Sequence, residues 1–143
     1  MSAVADLYRA LVLEHGKRPR HVGRLAQATH AADGENPLCG DALHVELTLK
    51  DDVLEALCFE GESCVLATAS ASLMTERLIG TRSSEARRLI NEMEALCVHG
   101  TRPISGDGDG LGDLRAFADV HRHPVRVGCA TLPWRTLRRA LGD

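Results

Sequence analysis

Three cysteines and one aspartate have the types and placement that metal or sulfur chemistry needs. Cys39 and Asp41 stand two positions apart in Asn36-Pro37-Leu38-Cys39-Gly40-Asp41. Cys64 ends Gly61-Glu62-Ser63-Cys64, and Cys129 lies in Val127-Gly128-Cys129-Ala130. Alternate side chains of an extended segment point the same way, so Cys39 and Asp41 can reach one ion. Gly40 between them leaves the backbone free to bend. Three thiolates and a carboxylate make a four-ligand set for tetrahedral zinc, with Zn–S bonds of about 2.3 Å. The same thiolates suit an iron–sulfur cluster. Either occupant leaves the set negatively charged, and Arg126, just before Cys129, is the candidate cation to balance it. Cys64 and Cys129 are expected near helix N-termini, whose partial positive charge favours thiolate. Spacing alone leaves a plainer reading open. There is no Cys-x-x-Cys pair, and a buried cysteine often acts as a small core hydrophobe.

The elements that must position these residues follow from periodicity. Val4, Leu7, Tyr8, Leu11 and Val12 recur at helical spacing, and Gly16 and Pro19 end that helix. Residues 17–37 read as an irregular arm. His44-Val45-Glu46-Leu47-Thr48-Leu49 alternates polar with apolar, as a half-buried strand does. Lys50-Asp51-Asp52 is a turn, 53–59 returns antiparallel, and 63–66 is expected as a third short strand. Leu66, Ala69, Leu73 and Arg77 share a helix face that ends at Gly80. Ser83 or Ser84 is expected to cap a helix through Leu89, Ile90, Met93 and Leu96. A loop over 105–110, a short helix over 111–120 and a last helix from about Thr131, with Pro133 in its first turn, complete the chain. Strands first and helices after predict an α+β fold, a small antiparallel three-stranded sheet packed against helices. Residues 1–143 read as a single domain.

Composition narrows the function. The chain has 143 residues, 44% of them hydrophobic but only 3% aromatic, so aliphatic side chains must fill the core. A net charge of −3 argues against a nucleic-acid surface, which needs a basic footprint. No stretch is long and apolar enough to predict a membrane span. The five cysteines are an odd count, and the first residues lack a basic region followed by an apolar run. A reducing cytoplasm with free thiols is therefore expected.

Longer segments carry a resemblance. Asn36 to Asp41, Gly61-Glu62-Ser63-Cys64-Val65-Leu66-Ala67-Thr68-Ala69-Ser70-Ala71-Ser72-Leu73-Met74-Thr75-Glu76 and Arg126-Val127-Gly128-Cys129-Ala130-Thr131-Leu132-Pro133-Trp134 resemble, in order, the three cysteine motifs of the SufU/IscU/NifU-N family of iron–sulfur cluster assembly proteins. Glu14-His15-Gly16-Lys17-Arg18-Pro19-Arg20-His21-Val22-Gly23 is similar to the family's segment after its first helix. The resemblance implies that Cys39, Asp41, Cys64 and Cys129 are the metal or cluster ligands.

The branch is read from what surrounds Cys129. The scaffold branch carries histidine directly before its third cysteine and the SufU branch commonly lysine, whereas this chain has Gly128. The long stretch between the second and third cysteines, through 100–125, and the run from Arg126 to Trp134 resemble the SufU branch. That branch implies a zinc-bound protein accepting sulfur from a PLP-dependent cysteine desulfurase of the SufS type and supplying downstream Fe–S assembly proteins. The resemblance further implies that, on docking, a desulfurase histidine takes the zinc position of Cys39. Cys39 then attacks the persulfide while Arg126 supports the vacated charge, with no stand-alone catalysis. The scaffold alternative is a labile [2Fe–2S] cluster built on the same ligands, and a third reading is a structural zinc domain.

Other features carry bland readings. Cys58 and Cys97 fall in apolar phases and read as packed thiols. His121 or His123 could replace the missing histidine, but a solvent position is the simpler expectation. Asp107-Gly108-Asp109-Gly110 fails as a calcium loop because Leu111 and Ala118 occupy the fifth and twelfth positions. Arg135, Arg138 and Arg139 form a basic face, solvated or facing a partner.

Overall fold

A computed structural model describes residues 3–100 and 112–142; the predicted loop at 105–110 lies outside the described residues. The order is α1 (Ala3–Lys17), β1 (His30–Asn36), β2 (Asp41–Lys50), β3 (Val53–Glu62), α2 (Val65–Leu78), α3 (Ser83–His99), a 3₁₀ helix (Gly112–Arg122) and α4 (Pro124–Leu141). The strands form one antiparallel sheet in the order β1-β2-β3, and helices pack against it, so the fold is α+β as predicted.

The β2–β3 hairpin is built locally. Asp51 and Asp52 take positive φ angles of 51° and 66°, the left-handed pair that a two-residue hairpin turn requires. The register sets Val45 opposite Phe59 and Leu47 opposite Leu57 on the core side. Such cross-strand pairs are the unit of sheet stability. Leu43, Val45 and Leu47 are buried, each worth about 1.5–3 kcal/mol if fully removed from water.

The third strand differs from the expectation. Residues 63–66 are not a strand: Ser63 and Cys64 lead into α2, and Val65 and Leu66 are its first turn. The sheet is completed instead by β1, within the predicted arm, paired from His30↔Leu47 to Asn36↔Asp41. Its sequence His-Ala-Ala-Asp-Gly-Glu-Asn has almost no apolar alternation, because α4 packs on it closely. A Cβ at Gly34 would lie 2.0 Å from Thr136 Oγ1, so only glycine fits there.

The rest of the arm is anchored rather than irregular. Gly23 N donates to the Phe59 carbonyl (2.8 Å) and Phe59 N to that of His21 (3.2 Å), which covers the β3 edge. Buried His15 places Nδ1 2.7 Å from Ser72 Oγ, which also accepts from Arg20 N (2.8 Å).

Two helix starts also depart from the prediction. The residue at the α3 N-cap is Arg82, without a side-chain bond, while Ser83 Oγ donates to Asp52 across the sheet end. α4 begins at Pro124, not near Thr131, because Pro124 fits the first turn, where its missing N–H costs nothing. Pro133 is then inside the helix and removes the ladder bond to the Cys129 carbonyl. Buried Trp134 anchors this region: its indole N–H donates to Ser70 Oγ (3.0 Å), and that hydroxyl donates to the Ala130 carbonyl (2.6 Å). α2 and α4 are thereby tied together beside Cys129.

Candidate metal centre

Cys39 sits in the turn joining β1 to β2. Its N–H donates to the Asn36 carbonyl at 3.1 Å, closing a β-turn with Pro37 at its second position. Gly40 follows at φ 71°, a left-handed conformation that glycine takes without steric cost. This turn, rather than an extended run, sets Cys39 beside Asp41, the first residue of β2. Cys39 is half-buried, whereas Asp41 and Cys129 are buried.

Cys64 is the N-cap of α2. Its Sγ accepts from Ala67 N at 3.4 Å, and its own N–H donates to Asp41 Oδ1 at 2.8 Å. Cys129 is different: it lies inside α4, beyond the first turn, so the predicted N-terminal assistance does not apply to it.

Three of the four predicted ligand residues converge, and the fourth, Cys64, lies beside them. Cys39, Asp41 and Cys129 offer ligand atoms within 4.8 Å of one another. The Cys39 and Cys129 sulfurs are 2.9 Å apart, and Cys64 Sγ stands at the edge of the group, 3.7 Å from Asp41 Oδ2. Burial, then the neighbouring Cys39, Cys64 and Asp41, push the Cys129 thiol well above its usual range. Such a cluster of acidic groups is stabilised by a cation. Three sulfurs and a carboxylate fit zinc or an iron–sulfur cluster by donor chemistry. Tetrahedral Zn–S bonds set sulfurs roughly 3.8 Å apart, so Cys39 would have to swing outward to share an ion with Cys129.

Arg126 is on the first turn of α4, exposed, and forms no ion pair with Asp41 among the described residues. It lines a groove of about 850 Å³ with Tyr8, Val12, Val65 and His123, between α1, the start of α2, the 3₁₀ helix and α4. His121 is turned away from the site: its Nδ1 lies 2.7 Å from the Ala118 carbonyl and its ring packs on Gly100. Cys58 and Cys97 are buried as expected, and burial raises both thiols, Cys97 to about 12. Two arginines of the basic face have intramolecular partners. Arg138 bonds Asn91 and Glu94, and Arg139 donates to the Asp33 carbonyl at 2.6 Å. One neighbour of the site was not singled out by type or spacing. Asn36, buried, points its side-chain Nδ2 at Cys129 Sγ at 3.7 Å.

A three-stranded α+β domain with thiols from a hairpin turn, a helix N-cap and a helix interior defines a small protein with a cysteine-based centre. The chain belongs to the family of the NifU-like N-terminal domain, whose model matches residues 7–141. It is 36% identical over 135 residues to the iron–sulfur cluster assembly scaffold protein IscU of Thermotoga maritima, covering 94% of this chain and 92% of that one. It is 34% identical over 135 residues to the zinc-dependent sulfurtransferase SufU of Bacillus subtilis, covering 94% and 89%. Among solved structures, a candidate iron–sulfur assembly scaffold for the SUF system from Fervidobacterium islandicum superposes with a TM-score of 0.83 at 30% identity, covering 92% of this chain and 93% of that one.

Proposed function

We propose that this protein accepts sulfur at Cys39 from a PLP-dependent cysteine desulfurase of the SufS type, for iron–sulfur cluster assembly in a reducing cytoplasm. The centre is zinc held by Cys39, Asp41, Cys64 and Cys129. The supporting observation is the unequal anchoring of the thiols. Cys129 is buried inside α4 and Cys64 is bonded into the α2 N-cap, while Cys39 stands half-buried on a turn whose neighbour Leu38 is 81% exposed. Cys39 is therefore the thiol that a partner can reach and that can leave the set with least disruption of packing.

Bound zinc would keep the thiols deprotonated and fix their geometry. The transfer is a displacement at sulfur. The Cys39 thiolate attacks the terminal sulfur of the partner's persulfide, the S–S bond breaks, and its electron pair stays on the partner's cysteine. Cys39 then carries the persulfide toward downstream Fe–S assembly proteins. Arg126, one turn before Cys129, is the cation assigned to balance the set when Cys39 leaves it.

The test is mass spectrometry of the protein after reaction with desulfurase and L-cysteine. Added sulfur on Cys39 supports the proposal; added sulfur on Cys129 overturns it. A second reading is favoured by the donor set and by the IscU relatives: a scaffold on which a [2Fe–2S] cluster is assembled and passed on. Metal analysis of anaerobically purified protein separates the two, since the first reading gives zinc and the second iron with acid-labile sulfide.

A further inference from the structure

The residue directly before the third cysteine is Gly128, and the structure shows what its small size makes room for. A Cβ at position 128 would lie 2.9 Å from Asn36 Nδ2 and 3.5 Å from Asn36 Cγ. The Asn36 amide thus occupies the space that any larger side chain would claim. From there its Nδ2 reaches Cys129 Sγ at 3.7 Å, within hydrogen-bonding range for sulfur.

Asn36 is held in place from several sides. It is the last residue of β1, paired with Asp41, and its carbonyl accepts the N–H of Cys39. One residue therefore contacts three of the four centre residues, through sheet pairing, turn closure and its side chain. It is also buried, so a donor of the amide is directed to a sulfur rather than to water.

We propose that Asn36 is a positioning residue of the centre: its amide donates a hydrogen bond to the Cys129 sulfur, and Gly128 is required to leave that amide in place. This rests on the reading that Cys129 ligates a metal. An N–H donor withdraws electron density from a thiolate and lowers the energy of its donor orbital. Charged acceptors make the stronger hydrogen bonds, so the contact strengthens when Cys129 is a thiolate. Neither a histidine nor a lysine at 128 could share the space with the amide as it stands. The pair Asn36–Gly128 thus replaces a side chain before the cysteine with one contributed by the neighbouring strand.

The test uses cobalt(II) added to metal-free protein, with its sulfur-to-metal charge-transfer band as the readout. Asn36→Ala removes the donor, Asn36→Asp keeps the shape without the donor, and Gly128→Ala displaces the amide while leaving Asn36 present. Alanine is also the better helix residue, so Gly128→Ala acts without weakening α4 itself. The expected result is a shift of the band to longer wavelength in all three and about three- to tenfold weaker cobalt binding. In the double variant Asn36→Ala/Gly128→Ala the second change adds nothing, because both remove one contact. Weaker binding with an unmoved band would reduce Asn36 to a structural residue and overturn the proposal. No sulfur-to-cobalt band in the unsubstituted protein would overturn the centre itself, and the role of Asn36 with it.

Discussion

The sulfurs of Cys39 and Cys129 lie 2.9 Å apart across 90 positions of chain. That approach depends on a hairpin turn and a helix interior meeting where β1 packs under α4. The two sulfurs are held unequally, and the consequences can be measured.

The unsubstituted protein is expected to bind one metal per chain. Cys64→Ser and Cys129→Ser should each lower affinity by at least about a hundredfold, because a thiolate is exchanged for a poor ligand. Elemental analysis after dialysis checks this, and full occupancy in either variant would remove that residue from the set.

Cys39→Ala is expected to fold normally, since Cys39 lies on a turn and fills no core space. It should abolish stimulation of a cognate desulfurase. Turnover assays with L-cysteine, alongside thermal unfolding, separate loss of chemistry from loss of fold.

Asp41→Ala should act twice. It loosens the metal, and it removes the acceptor of the Cys64 N–H at the start of α2. The second effect should destabilise even the metal-free protein by about 1 kcal/mol, as loss of a cap does. A melting point within error of the unsubstituted metal-free protein would rule out that capping role.

Leu38→Ser tests whether the hairpin tip meets the partner. The residue is 81% exposed, so its replacement removes little buried surface. The desulfurase concentration for half-maximal stimulation should rise about tenfold, in line with one lost apolar contact. Metal affinity should stay unchanged; a titration of stimulation against desulfurase concentration decides it.

The pH dependence of folding should carry the mark of His44. Its ring lies 2.8 Å from both Glu46 Oε2 and Asp33 Oδ1, and these bonds raise its pKa. The Leu25 N–H and His44 lower that of Glu46. The His44 contribution is full below the ordinary histidine pKa of about 6.5 and is lost as pH rises through its raised value. The Glu46 contribution is present above the ordinary carboxylate range and is lost as pH falls through its lowered value. Urea midpoints for the unsubstituted protein and His44→Gln should therefore differ most between about pH 5 and 6.5 and converge in alkali. A difference that stayed constant from acid into alkaline pH would exclude the histidine clasp.

What the sequence determined by itself was local. Helical spacing predicted α1, α2 and α3, strict alternation predicted β2 with β3, and the motifs around Cys39, Cys64 and Cys129 carried the family resemblance. Each is a property of neighbouring residues, since periodicity and turn chemistry act within a few positions. Tertiary structure decided the rest. β1 has hardly an apolar side chain to announce it; its pairing with β2 and its glycine contact with Thr136 come from distant segments. Pro133 pointed to a helix start and instead lies within α4, where packing around Trp134 holds the helix through the missing bond. Asn36 carried no chemistry by type or spacing, yet the fold aims its amide at Cys129. Convergence across 90 residues is written in no local pattern. It follows from how the sheet and α4 bury one another's apolar faces, and only folding supplies that.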